Sequence, residues 1–99
     1  MTDAANDPIQ HAESGGHGEF FVVREGKRIA ELTYSSSGNT AVVAHTWVDP
    51  AHRGGTLAPR LVDAVVAWAR ADNRKIVAAC SYVRRVFSST NRFDDVWSR

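Results

Sequence analysis

A single cysteine, Cys80, stands in a chain of 99 residues. It excludes an internal disulfide and a cysteine-rich zinc site. No apolar stretch approaches the ~20 residues of a membrane-spanning helix, and the N-terminus lacks the charged-then-apolar pattern of a secretory signal. No repeat or low-complexity tract interrupts the part that reads as ordered. Lysine is scarce too: ten of the twelve basic residues are arginine. Residues 1–18 hold no Lys or Arg at all, only Asp3, Asp7 and Glu13. The length excludes a multidomain enzyme or a long solenoid. The 43% hydrophobic content, with three Trp, excludes a disordered chain. What remains is one small cytoplasmic domain, expected over residues 19–99 behind a disordered tail at 1–18.

The charge that is present is concentrated. Arg53, Arg60, Arg70, Arg74, Lys75, Arg84 and Arg85 face only Asp63 and Asp72 across residues 53–85. Such an excess favours an anionic partner, and the planar fork of Arg suits phosphate. Charge alone does not separate a phosphorylated small molecule from nucleic acid or from a solvated helix face.

Hydrophobic periodicity sets the elements. Phe20–Val23 and the alternating run Ile29–Tyr34 flank an Arg24-Glu25-Gly26-Lys27 turn and predict a hairpin. Thr40–Val48 is a third strand, apolar on both faces and therefore central, stopped by Asp49-Pro50. The period then changes. Leu57, Leu61, Val65 and Trp68 predict a helix over 57–71, with Arg60, Asp63 and Arg70 on its other side. Lys75–Tyr82 reads as a strand covered on both faces, and residues 83–90 as a second helix. The order is β-β-β-α-β-α: a mixed sheet of the α/β (α+β) class, with an antiparallel meander, a right-handed β-α-β unit and a C-terminal helix.

The strand-to-helix loop carries the chemistry. In Asp49-Pro50-Ala51-His52-Arg53-Gly54-Gly55-Thr56, the glycines let backbone approach a ligand, and Thr56 is placed to cap the helix through the Ala58 N–H. The free N–H groups of the first helical turn, with Arg53 beside them, form an anion site at the carboxyl end of a parallel strand. The Walker pattern is absent, and so is the dinucleotide fingerprint.

Strand, loop and helix together, AHTWVDPAHRGGTLAPRLVDAVVAWAR, resemble the acetyl-CoA-binding core of the GNAT N-acetyltransferases. The signature Gln/Arg-x-x-Gly-x-Gly/Ala falls on Arg53-Gly54-Gly55-Thr56-Leu57-Ala58, with Thr56 at the usual central glycine. His45-Thr46 and Cys80-Ser81-Tyr82-Val83 resemble motifs of a short single-domain GNAT-like subgroup. Val86 and Thr90-Asn91 depart from that subgroup's tyrosine and His-Pro pair. The resemblance spans about residues 19–97. It implies that backbone at Gly55, Thr56, Leu57 and Ala58 holds the CoA pyrophosphate with Arg53 and Gly54 close by. It implies that backbone of Trp47 and Val48 pairs with the pantetheine arm, in a V-shaped opening between the strands ending at Val48 and near Cys80. Arg84 and Arg85 are its candidates for the nucleotide phosphates.

Acetyl transfer needs a neutral nucleophile, a polarised carbonyl and a donor for the leaving thiol. Cys80 stands where the acetyl group is expected, either as its acceptor or packed against it; a buried structural thiol is the plainer alternative. His45 is a general base if its ring faces the slot and a core histidine otherwise. Tyr82 is a candidate acid for the thiol, and Trp47 and Trp68 read as core. Three functions follow. The first is an N-acetyltransferase using acetyl-CoA on an amine-bearing small molecule or protein, as monomer or homodimer. The second is a non-catalytic acyl-CoA-binding module. A nucleic-acid-binding α/β domain comes last, because no aromatic RNA-binding pattern accompanies the arginines.

Overall fold

The computed structural model describes residues 7–99. Five strands form one sheet in the order β1-β2-β3-β4-β5: β1 (Gln10–Ser14), β2 (His17–Arg24), β3 (Lys27–Ser37), β4 (Thr40–Val48) and β5 (Lys75–Ala78). The first four are antiparallel neighbours, and β4 and β5 pair in parallel. Helix α1 (Leu57–Ala71) makes the crossover between them, and α2 (Ser81–Ser88) follows β5. The mixed sheet and the two helices are those that the residue pattern predicts. A helix between two parallel strands leaves β5 directly beside β4.

The expected tail is corrected in part. Residues 1–6 lie outside the described residues, but Gln10–Ser14 is a strand paired with β2 from Gln10↔Phe21 to Ser14↔His17. Sequence periodicity misses it because all five of its residues are exposed, so no buried stripe marks it. Side chains of the hairpin nevertheless reach the core. His11 stacks on Phe20 at 4.1 Å, and its Nε2 lies 2.6 Å from the Tyr34 hydroxyl.

One face of the sheet is buried. Phe20, Val22, Leu32, Tyr34, Val43, Ile76 and Ala78 lie in a single cluster with Leu57, Leu61, Val62 and Val65 of α1 and with Val83 and Phe87 of α2. The alternate residues Phe21, Glu31, Thr33, His45, Trp47 and Val77 fall on the opposite face, and none of them is buried. The molecule therefore has two layers. Trp47 is half-buried on that second face rather than in the core, while Trp68 packs against the core as expected.

Two element boundaries move. β5 stops at Ala78, not at residue 82, and α2 begins at Ser81, not at 83. The cause is a bulge in β4. Tyr34 pairs with Val43 but Thr33 pairs with His45, so Ala44 has no partner. Beyond that point β4 bends away from β5. The Ala79 and Cys80 N–H groups both close on the Val43 carbonyl at 3.0 Å, which ends the strand. Residues 93–98 then return along β5. Ile76 N–H donates to the Val96 carbonyl, Ser98 N–H to the Ile76 carbonyl, and Phe93 and Val96 are buried.

Candidate functional site

The bulge builds the site. β4 and β5 pair only from Thr40↔Lys75 to Val43↔Ala78, so His45–Val48 keeps β3 on one side and, among the described residues, no strand on the other. The bulge also resets which backbone groups face that edge. The Asp49 N–H donates to the Ile29 carbonyl of β3 at 2.8 Å. Backbone groups alternate sides along a strand, so those of Trp47 also turn to β3, whereas those of Thr46 and Val48 turn into the fork. Of the two residues the sequence singles out, Val48 thus has its backbone groups on the fork side and Trp47 has them on β3. Thr46, which shares the fork side with Val48, is not singled out by the sequence because a bulge leaves no mark in the hydrophobic pattern.

Cys80 closes the vertex of this fork. It is not the last residue of a strand but the N-cap position of α2, in extended conformation. Its Sγ lies 3.5 Å from Thr46 Oγ1. Burial pushes the thiol up, but the Thr46 hydroxyl and the N–H groups of Val83, Tyr82 and Thr46 outweigh it and hold Cys80 below its ordinary value. Tyr82 is half-buried, and burial raises its hydroxyl against the opposing charge of Arg85. Arg84 donates to the Ala78 carbonyl at 3.2 and 3.3 Å, and the Arg85 guanidinium lies 6.0 Å from the Tyr82 ring centre.

The other arm of the fork leads into the loop. Asp49 accepts from the Ala51 N–H at 3.0 Å and pairs with Lys27 at 3.1 Å, and these partners hold its carboxyl below the usual range. That contact starts a single 3-10 turn, Pro50–His52. Gly54 has φ +86°, a conformation that L side chains rarely adopt. Gly55 has an ordinary backbone, so the conformational demand rests on Gly54 alone. Thr56 is the N-cap residue of α1, yet its side chain makes no capping bond, contrary to expectation. The first bond into the helix runs from Arg60 N–H to the Thr56 carbonyl at 3.0 Å. The N–H groups of Leu57 and Ala58 therefore point out of the helix end, where the dipole favours an anion. The Leu57 side chain is buried and fixes that end against the sheet. Arg53 lies between loop and fork, its Nε donating to the Val48 carbonyl at 2.7 Å.

His45 is not in the fork. It pairs with Thr33 on the opposite face, half exposed, with Nε2 3.5 Å from Glu31 Oε2. Glu31 also touches Arg28, which binds Glu19 at 2.6 Å. On the same face opens a cavity of about 550 Å³, walled by Ser14, His17, Glu19, Thr33 and the bulge residue Ala44. The structure thus brings Val48, Arg53, Gly54, Gly55, Thr56, Leu57 and Ala58 together with the fork that holds Cys80, and leaves His45 across the sheet.

The family model for GCN5-related N-acetyl-transferases matches residues 19–96. No curated protein matches the chain in sequence. Among solved structures, a GCN5-like protein from Staphylococcus aureus is 28% identical, with 99% of this chain and 91% of that one covered and a TM-score of 0.71. The ribosomal-protein-S18-alanine N-acetyltransferase of Escherichia coli is 15% identical over 78% of this chain and 53% of its own, with a TM-score of 0.64. An aminoglycoside N-acetyltransferase in complex with CoA is 16% identical over 87% of this chain and 71% of that one, at 0.57. At such identities the last two likenesses are of fold alone. The matched segment spans the bulged strand, the loop and both helices, and the chain belongs to the GCN5-related N-acetyltransferase family.

Proposed function

We propose that the protein is an acetyl-CoA-dependent N-acetyltransferase acting on an amine. The observation that carries this reading is the fork, whose free β4 edge runs from the amide-lined start of α1 to a hydrogen-bonded thiol. The N–H groups of Thr56, Leu57 and Ala58, with the loop at Gly54-Gly55 and the Arg53 charge, suit a pyrophosphate. The backbone groups of Thr46 and Val48 suit the amides of a pantetheine arm laid along β4 as a further strand. Arg84 and Arg85 on α2 suit the remaining phosphates. A cytoplasmic setting fits both this co-substrate and the single free thiol.

With the arm in that track, the thioester lies at the bulge beside Cys80. The acceptor amine attacks the thioester carbonyl carbon, the C–S bond breaks and CoA leaves as the thiolate, which takes a proton from Tyr82, the candidate acid, to become the thiol. The amine proton needs a base. His45, held by Glu31 on the face where the cavity opens, takes the proton of an amine arriving from that side. Cys80 supports a second route, in which the thiolate first takes the acetyl group and passes it to the amine.

Release of CoA thiol from acetyl-CoA tests the reading against a panel of polyamines, aminoglycosides and peptide amines. The account expects turnover with at least one amine and a loss of about tenfold or more in His45→Gln. Cys80→Ala separates the routes: turnover lost means a relay, and turnover kept means direct transfer with the thiol as a wall. CoA binding without turnover by any amine would make the chain an acyl-CoA-binding module instead. Oligonucleotide binding without CoA binding would replace both.

A further inference from the structure

The two edges of the sheet are finished differently. Residues 96–98 cover β5, as described above. Beyond β1, no strand lies among the described residues, and all five β1 side chains are exposed. An open edge is a template for further pairing, and chains blunt one with short strands, charged side chains, proline or a bulge. Gln10–Ser14 has no proline, lysine or bulge: its sequence is QHAES, its register with β2 is unbroken, and its one carboxylate, Glu13, accepts from Ser36 Oγ at 3.3 Å through Oε2.

The turn decides what this edge offers. Gly15 and Gly16, at φ +62° and +83°, form a two-residue hairpin loop with both central residues left-handed. In such a hairpin the flanking residues, here Ser14 and His17, exchange hydrogen bonds. Backbone groups alternate sides, so Ser14, Ala12 and Gln10 bond to β2. The N–H and C=O groups of His11 and Glu13 point off the sheet.

That pair is self-complementary. In an antiparallel pairing centred on Ala12, His11 faces Glu13 of a second copy, and Glu13 faces His11. The residues with outward backbone groups are then opposite each other and share four backbone hydrogen bonds. Their side chains set an imidazole against a carboxylate twice, on the α1 side. Nδ1 of His11 is the ring nitrogen available for it, since Nε2 meets Tyr34. Gln10 faces Ser14 and Ala12 faces Ala12, so no like charges oppose.

We propose that β1 pairs edge to edge with β1 of a second copy of this chain, joining two sheets about a two-fold axis at Ala12. The seam is short, well below the ~1,600 Å² of a standard stable interface, so the dimer is weak and concentration-dependent. It lies at the sheet edge away from the β4–β5 fork and stands whether or not the chain transfers acetyl groups.

Sedimentation equilibrium from about 10 μM to about 1 mM reads the association directly. The proposal expects a monomer–dimer equilibrium, with the His11 and Glu13 amides gaining hydrogen-exchange protection as concentration rises. Glu13→Pro removes an outward N–H and no bond of the chain's own ladder, so it weakens the dimer about tenfold or more. Glu13→Lys sets a cation against His11 and weakens it without touching the backbone, which keeps the test open if the proline variant does not fold. The double variant His11→Glu with Glu13→Lys restores pairing with the charges exchanged. A monomer across the whole range overturns the proposal. So does a dimer equally strong in every variant, or an extended peptide that adds to β1 while the chain itself stays monomeric.

Discussion

Cys80 shows how a side chain's chemistry is set by what it touches. A thiol sunk into a protein ordinarily becomes harder to ionise. Here four hydrogen-bond contributions, two of them from Thr46, reverse the sign. Thr46→Val deletes the hydroxyl and keeps the shape, so the thiol moves up toward its ordinary value. Alkylation rate against pH reads this, and the midpoint should rise in the variant while CoA affinity holds. An unmoved midpoint would leave the backbone N–H groups of residue 46, Tyr82 and Val83 as the cause. Tyr34 carries the opposite sign. Burial, with the Glu13 carboxylate, pushes its hydroxyl up to about 12 from its ordinary 10.0. Both folded and unfolded chains are protonated below pH 10, so that stability is fully present there. It drains between about 10 and 12, as the unfolded chain ionises first, by at most ~3 kcal/mol. Denaturant unfolding across that window should show a loss that Tyr34→Phe removes.

Among the elements, the hairpin of β1 and β2 and the bulge of β4 matter most. Gly18 lies directly beneath the Tyr34 ring: a Cβ there would come within 2.2 Å of Cζ and Oη. The ring has little room to retreat, with Trp68 4.6 Å away and His11 at its hydroxyl. Gly18→Ala should therefore cost about 1–3 kcal/mol, read as a lower denaturation midpoint. Combined with Tyr34→Ala it should cost far less than the sum of the two changes. These same elements mark where sequence reading succeeds and fails. Leu57, Leu61, Val65 and Trp68 repeat at helical spacing, so α1 is legible to the residue. β1 is not: QHAES buries nothing, and the Gly15-Gly16 turn reads as part of a tail. The bulge at Ala44 is equally silent, because it sits in an apolar run with no alternation to break. Missing it lengthens β5, delays α2 and hides that the backbone groups of Thr46, not those of Trp47, face the fork. The turn at Gly54 and the start of α1 at Leu57 are legible because both are set by residues local in sequence. His45 is not, since its face depends on a residue count that the bulge alters.

At the scale of the whole molecule, the two layers leave a fork between β4 and β5 and one sheet face without a helix. The helices cover the buried face and set the start of α1 at the carboxyl end of β4. The opposite face keeps Glu31, His45 and the cavity at Ala44 open. The central claim is that the loop and the first turn of α1 grip the diphosphate of CoA. Calorimetric titration with CoA tests it most directly, on the native chain beside Gly54→Val and Arg53→Gln. One site per chain is predicted, with affinity about tenfold weaker in Arg53→Gln and abolished in Gly54→Val, whose branched side chain resists a φ of +86°. No heat with CoA, or equal affinity in all three proteins, would contradict it.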